Sequence, residues 1–340
     1  MRNSVVYTLA KVALLCLSFV YLSSCGNGAK TPPQETQDST STIGRLNRKV
    51  AENPGDVDAW FARSRYYAEQ EVFNKALMDA EKALGLDSFR TDILLHAADL
   101  YYTTREVEQA RATIQKALAL DPNNLDANLR MGELQYYLGQ YPSAFEYLDK
   151  AILLDPFEAR TYFTKGMIFA ETGDTNLAIS SFQTAVEQDP TYFHAYMQLA
   201  NLHAVKNNDL AIDYYQNAIS VNPTKQEAYY GLAYYLQYHN RPKEAIRVYQ
   251  DLLAFDKNHV PSIHNIGYIF LFEEGKATES LTWFNRALNH EPDFYLALYH
   301  KGYALELLGQ QDSARIFYEK ALSQEPELKV AQAGLERLGS

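Results

Sequence analysis

The sequence predicts an all-α fold, a linear stack of antiparallel helix pairs, and three observations predict it. An acid or Asn followed by proline recurs at Asp121-Pro122, Asp155-Pro156, Asp189-Pro190, Asn222-Pro223, Glu291-Pro292 and Glu325-Pro326, with steps of 34 or 33 residues and one double step. Proline has no N–H to give a helix ladder and steers its predecessor out of the helical basin, so each pair marks a helix end. Small residues form two columns with the same step. One runs Ala76, Ala110, Ala144, Ala178, Ala211, Ala245, Ser280, Ala314, and the other Ala117, Ala151, Ala185, Ala218, Ala287, Ala321. Between them, at helical spacing, stand larger residues such as Phe182, Tyr215, Tyr249, Phe284 and Tyr318. Small columns let two helices approach, and the larger residues fill the space that remains.

The elements follow in chain order. Met1 to Lys11 carries Arg2 and Lys11 and no acid, and Val12 to Leu22 is an apolar run ending in Ser23-Ser24-Cys25. That is the pattern of a secretory signal over residues 1–24, and the run is too short for a bilayer span of about 20 apolar residues. Leu22-Ser23-Ser24-Cys25 resembles the lipobox of bacterial lipoproteins, in the looser form of Bacteroidota. The resemblance implies lipidation of Cys25 and an anchor in the membrane. Residues 25–42 then read as the modified Cys25 and a disordered tether without aromatics, about 60 Å at full stretch. By the same resemblance, Gly26 carries no inner-membrane retention signal, which implies the outer membrane, and no acidic cluster follows Cys25, which implies that the anchor faces the periplasm.

The 34-residue columns, with Gly132, Gly166, Gly267 and Gly302 in the first helices, resemble the tetratricopeptide repeat family. Eight units are expected over residues 57–328: 57–90, 91–124, 125–158, 159–192, 193–225, 226–259, 260–294 and 295–328. Unit five is one residue short near Asn207-Asn208-Asp209, and unit seven is one long within Glu273 to Ala277. A capping helix is expected within residues 43–56 and another within 329–340. Unit one carries Arg63 and Ser64 where Leu and Gly are usual, which fits a polar outer cap. Lys165 is expected to face solvent. The resemblance implies a right-handed α-solenoid whose concave groove is lined by first helices. It covers about four fifths of the chain and says little about function.

Composition narrows the function. The formal charge is −11, and an acidic chain repels phosphate backbones, so no nucleic-acid partner is expected. The two cysteines, Cys16 and Cys25, both precede the repeats, which excludes a disulfide-stapled body. There is no GxSxG, HExxH or CxxC, and Gly275-Lys276 has Phe270 and Ala277 where a phosphate loop needs Gly and Ser or Thr. The eight histidines show no ligand spacing. The expectation is therefore no enzyme, no metal and no cofactor.

What remains is the groove. By the family's positions, units one to three place Asp92, Asp99, Asp126 and Glu133 there, six acids among fifteen positions against one base, Arg65. Units six to eight place Tyr230, Tyr234, Tyr238, His264, Tyr268, Phe272, Tyr299 and Tyr303 there. The bland alternative is that each ring only packs on a neighbouring repeat. Recurrence at equivalent positions favours a binding surface, because rings offer area, few rotors and a hydroxyl. The family's carboxylate clamp is excluded, since its cations are missing. The expected function is a lipid-anchored envelope scaffold that holds a peptide segment or an envelope protein in its groove, basic end toward the acids and apolar end over the rings. The alternative is a structural subunit of an envelope secretion or assembly machine working from its convex surface, with glycan binding a third option.

Overall fold

The computed structural model describes residues 41–339. The signal sequence, Cys25 and almost all of the tether lie outside the described residues. Among the described residues every regular element is a helix. The chain divides into two compact units at Pro190–Thr191.

The first unit opens with α1 (Thr42–Glu52), N-capped by Ser41, whose hydroxyl accepts from the Gly44 N–H at 3.1 Å. Four helix pairs follow: α2 (Val57–Glu69) with α3 (Phe73–Leu86), α4 (Thr91–Thr103) with α5 (Val107–Leu120), α6 (Leu125–Tyr137) with α7 (Tyr141–Leu154), and α8 (Ala159–Thr172) with α9 (Thr175–Gln188). The second unit has α10 (Phe193–Val205) with α11 (Leu210–Val221), α12 (Gln226–Tyr238) with α13 (Pro242–Phe255), α14 (Val260–Phe272) with α15 (Ala277–His290), and α16 (Tyr295–Leu307) with α17 (Gln311–Gln324). It closes with α18 (Lys329–Gly339).

Each second helix ends as its sequence dictates. The Asp121 N–H makes the last ladder bond to Ala117, and its carboxylate then accepts from the Asn123 N–H at 2.9 Å. Asp155 repeats this with the Phe157 N–H at 2.8 Å. The next first helix caps the turn from its own side chain: Trp60 Nε1, Asn128 Nδ2 and Tyr162 Oη donate to the carbonyls of Pro54, Pro122 and Pro156 at 2.9, 3.0 and 2.9 Å.

The turn inside each pair uses one device throughout. A single left-handed residue ends the first helix: Glu71, Arg105, Gly139, Gly173, Asn207, Asn240, Gly275 and Gly309, with φ from 52° to 88°. The next N–H reaches back to a carbonyl of the helix's last turn, as in Val72 to Tyr67 at 2.8 Å and Gln140 to Gln135 at 2.8 Å. The missing residue of unit five leaves this turn intact. It is taken from the first turn of α11, which has 12 residues where α9 and α13 have 14. In unit seven the extra residue comes before Gly275, so the reach-back from Lys276 lands on Phe270.

The small columns do what their spacing implies. Ala144, Ala151, Ala178 and Ala185 are fully buried. A Cβ built on Gly166 would lie 2.6 Å from the buried Phe182 ring, and one on Gly132 would lie 2.7 Å from Leu148. Two expectations need correction. Lys165 is not solvent-facing: its side chain is 20% exposed, with Nζ 2.6 Å from Asp149 and lying over the Phe145 ring. Arg63 and Ser64 do not form a polar outer face. The Arg63 guanidinium pairs with buried Asp79 at 2.7 and 2.8 Å and donates to Asn47 of α1, while the fully buried Ser64 hydroxyl donates to the Ala76 carbonyl at 2.6 Å. Arg63 therefore knits α1 to the stack, and Ser64 ties α2 to α3.

Two outcomes follow for denaturation experiments. Ala151→Leu or Ala185→Leu should destabilise by about 1–3 kcal/mol, because no space exists for the added methylenes. The same change at exposed Gln115 should be near neutral; equal midpoints would refute the packing register. Glu71→Gly and Arg105→Gly should each stabilise by about 1 kcal/mol, since a side chain in the left-handed region is strained and glycine is not. Unchanged or lower midpoints in urea would show that the strain is absent.

Candidate binding surface

In the first unit the predicted acids lie on or beside first helices, yet their charges are answered locally. Arg90 binds Asp92 through two nitrogens at 2.9 and 2.7 Å and Asp58 at 2.9 Å. Arg130 binds Asp99 at 2.8 and 3.1 Å and lies 3.3 Å from Asp126. Arg160 donates to both oxygens of Glu133 at 2.9 Å. Asp92 is held below the usual carboxylate range by its hydrogen bonds from Arg90. The expected acidic half is therefore a ladder of charge pairs. Counting only five groove positions per unit missed these arginines; the signals were there in Asp126 four residues before Arg130 and in Arg90 two before Asp92.

Between the rungs lies a cavity of about 330 Å³ lined by Phe61, Arg65, Asp92, Leu95, His96, Asp99, Asp126 and Arg130. The Ser64 proton goes to the Ala76 carbonyl, so His96 Nε2, 2.9 Å from Ser64 Oγ, carries its own proton and donates. Burial pushes the His96 imidazole below its ordinary value. A little farther along, Tyr136 and Tyr141 both donate to Glu171 at 2.7 Å.

In the second unit the predicted rings are brought together. Tyr230, Tyr234 and Tyr238 lie on α12, His264, Tyr268 and Phe272 on α14, and Tyr299 and Tyr303 on α16. Tyr234 meets Tyr238 at 4.6 Å between centroids, and Tyr268 meets Phe272 at 4.6 Å. Phe272 stacks on Tyr303 of the next pair at 5.5 Å with planes 10° apart. Tyr238 and Phe272 remain 57% and 40% exposed, and Tyr230, Tyr234, Tyr268, Tyr299 and Tyr303 are half-buried. Each ring thus packs on a neighbour and still offers an edge or face to solvent. Burial raises the hydroxyl pKa of Tyr230, Tyr268 and Tyr299, so they stay protonated donors.

His264 is a correction. It is only 5% exposed and offers no surface contact. Imidazole is shorter than the tyrosines at equivalent positions, and its two nitrogens are engaged below them: Nδ1 with Asn265 Oδ1 at 3.1 Å and Nε2 with His300 Nδ1 at 2.8 Å. Asn265 is the residue that sequence reasoning missed. Its Nδ2 donates to Tyr249 Oη at 2.9 Å and to Tyr230 Oη at 3.3 Å, and Tyr249 Oη donates to Gln237 Oε1 at 3.0 Å. At the far edge, Glu306 accepts two bonds from Arg337 of α18 at 2.8 Å and one from Tyr318. Among the described residues no group of three or more His, Cys, Asp or Glu is placed to hold a metal ion, and no helix is long and apolar enough to cross a membrane.

Two profiles of the tetratricopeptide repeat family match this chain, one over residues 95–159, 129–193 and 204–259 and the other over 295–328. Among solved structures, the C-terminal part of a TPR repeat-containing protein from Cytophaga hutchinsonii aligns at 18% identity over 71% of this chain and 99% of that one, with a TM-score of 0.61. A tetratricopeptide repeat protein from Parabacteroides merdae aligns at 15% identity over 74% and 99%, with a TM-score of 0.47. YrrB, described as a TPR protein with an unusual peptide-binding site, aligns at 26% identity over 55% and 96%, with a TM-score of 0.40. No curated protein matches the sequence.

Proposed function

The chain belongs to the tetratricopeptide repeat family, and from that premise we propose that it is a non-catalytic scaffold that binds a peptide segment or protein on the ring surface of its second unit, held at the cell envelope by a lipid on Cys25. The ring surface carries the reading. Seven aromatic side chains on α12, α14 and α16 support one another through stacking, while Tyr238 and Phe272 stay open to a ligand. Such a surface is preordered, so little rotamer freedom is lost on binding. Its unionised hydroxyls can donate to the carbonyls of a bound chain. The charge-pair ladder of the first unit changes the expectation for a basic ligand end. Each acid there is already partnered, so the ladder orients a polar segment and adds little affinity. Lipid anchoring rests on Leu22-Ser23-Ser24-Cys25 and the apolar run before it. The outer membrane and the periplasm are part of the same proposal.

A second reading has its own observation. Leu153, in the last turn of α7, and Phe89 and Phe157, in the turns that follow α3 and α7, are 85%, 73% and 72% exposed. Exposed apolar side chains of this size suit docking into a larger assembly.

Affinity capture from detergent-solubilised membranes tests the two readings against each other. Phe272→Ala or Tyr238→Ala should weaken partner binding by about thirtyfold at low and high salt alike, chiefly through faster dissociation. Loss of the partner in Phe89→Ser with Leu153→Ser, and full retention in the ring variants, would give the role to the outer edge. Metabolic labelling with a palmitate analogue should mark the wild-type chain and not Cys25→Ser, because only a thiol forms the thioether. A labelled Ser variant would remove the anchor from the proposal.

A further inference from the structure

The hydrogen bonds beneath the ring surface run in one direction. Tyr249 gives its proton to Gln237 Oε1, and Asn265 Nδ2 gives to Tyr249 and Tyr230. The Asn265 amide oxygen is then left to accept, which places a proton on His264 Nδ1. With Nδ1 protonated, neutral His264 has a lone pair on Nε2, and His300 Nδ1, 2.8 Å away, must be the donor. The sequence His300, His264, Asn265, Tyr249, Gln237 is thus a chain of donors in which both imidazoles are neutral. It crosses from α16 through α14 to α13 and α12.

The pair is also wrapped by rings. His264 lies against Phe284 and Phe294, and His300 against Phe284, Tyr268, Phe272 and Tyr299, with centroids 4.9 to 5.8 Å apart. Three of those rings belong to the binding surface.

We propose that the His264–His300 pair makes the ring surface acid-sensitive, so that the surface is ordered at neutral pH and released when the pair takes up a proton. This regulation rests on the reading of that surface as the binding site. A proton added at His264 Nε2 keeps the link between α14 and α16 only if His300 moves its own proton from Nδ1 to Nε2, and a second proton sets two donors against each other and breaks it. A proton added at His300 puts a charge among rings with no carboxylate to answer it. The titratable and charged groups next to the pair's partners are Tyr230 and Tyr249 at Asn265, with His259 against Tyr230, then Tyr234, Tyr238, Glu273 and Tyr299 around Tyr268, and Tyr303, Glu306, Arg337 and Tyr318 around Tyr299. On α15 the ring of Phe284 lies against both imidazoles. Glu273 acts on Tyr268, and Glu306 is tied to Arg337 and Tyr318, so neither stabilises an imidazolium here. Burial accordingly pushes His264 down to about 4 and His300 well below its ordinary value. A histidine so depressed supports the fold fully above its ordinary value of about 6.5, and that support is lost as pH falls from there toward about 4.

The test uses the full chain and needs no partner, so it stands or fails separately from the binding assignment. Near-ultraviolet circular dichroism reads the tyrosine packing, and far-ultraviolet dichroism reads the helices. Between about pH 7 and about pH 3.5 the tyrosine signal should fall, with half of the change reached at about pH 4, while the helical signal persists. His264→Gln, which cannot take up the proton, should shift that midpoint to lower pH by about one unit or abolish it. Histidine nitrogen NMR on the wild-type chain decides the matter even if the variant fails to fold: both rings should be neutral with the proton on Nδ1 at pH 7. Charging of the pair should then track the loss of tyrosine signal. Rings that titrate without any tyrosine change would overturn the proposal. So would a tyrosine signal that holds throughout, or an equal transition in His264→Gln.

Discussion

The structure depends on two helices being allowed to touch. In pair after pair the first helix offers a glycine or alanine, and the second sets a large side chain on it: Leu148 on Gly132, Phe182 on Gly166, Phe284 on Gly267, Tyr318 on Gly302. Phe182, Phe284 and Tyr318 are fully buried by this contact. Close-packed interiors tolerate neither an added methyl nor a void at such a place, so the small–large match must recur wherever a pair recurs. Everything at the surface follows from it. With the inner face committed, the first helix has its fifth, ninth and thirteenth residues left for an outward row, and on α12, α14 and α16 most of these are rings.

The helices and their pairing were legible because they rest on one-residue rules: proline stops, small columns, rings at helical spacing. The turns were less so. Glycine at 139, 173, 275 and 309 signals a left-handed residue, whereas Glu71 and Arg105 do the same work with no such sign, held by the hydrogen bond that reaches back across the turn. The ring set was legible from recurrence alone. The charge ladder was not, because its arginines fall outside the columns that define the surface, and pairing at separations of 27 to 32 residues appears only when adjacent pairs are stacked. His264 misled for a related reason. Periodicity reports which way a Cα faces, and the shorter imidazole turned instead toward Asn265 and His300.

Beneath the second unit's rings, polarity is used sparingly and completely. Asn265 serves two tyrosine hydroxyls and a histidine with a single amide, and Tyr249 passes the chain on to Gln237. A buried network in which every member is satisfied specifies one arrangement, because each alternative leaves a donor or acceptor without a partner. The rings above inherit that definition, which is how a surface of half-buried tyrosines can be ordered.

The ladder of the first unit has a consequence for selectivity. Asp92, Asp99 and Glu133 each already hold an arginine. Arg90 is shared by Asp58 and Asp92, and Arg130 by Asp99 and Asp126, so three arginines answer five carboxylates and the ladder stays net negative. An arriving carboxylate would have to displace an acid that already holds the arginine, whereas an arriving lysine can join a carboxylate that only shares one, so the ladder favours a segment whose cations fall at the spacing of the rungs.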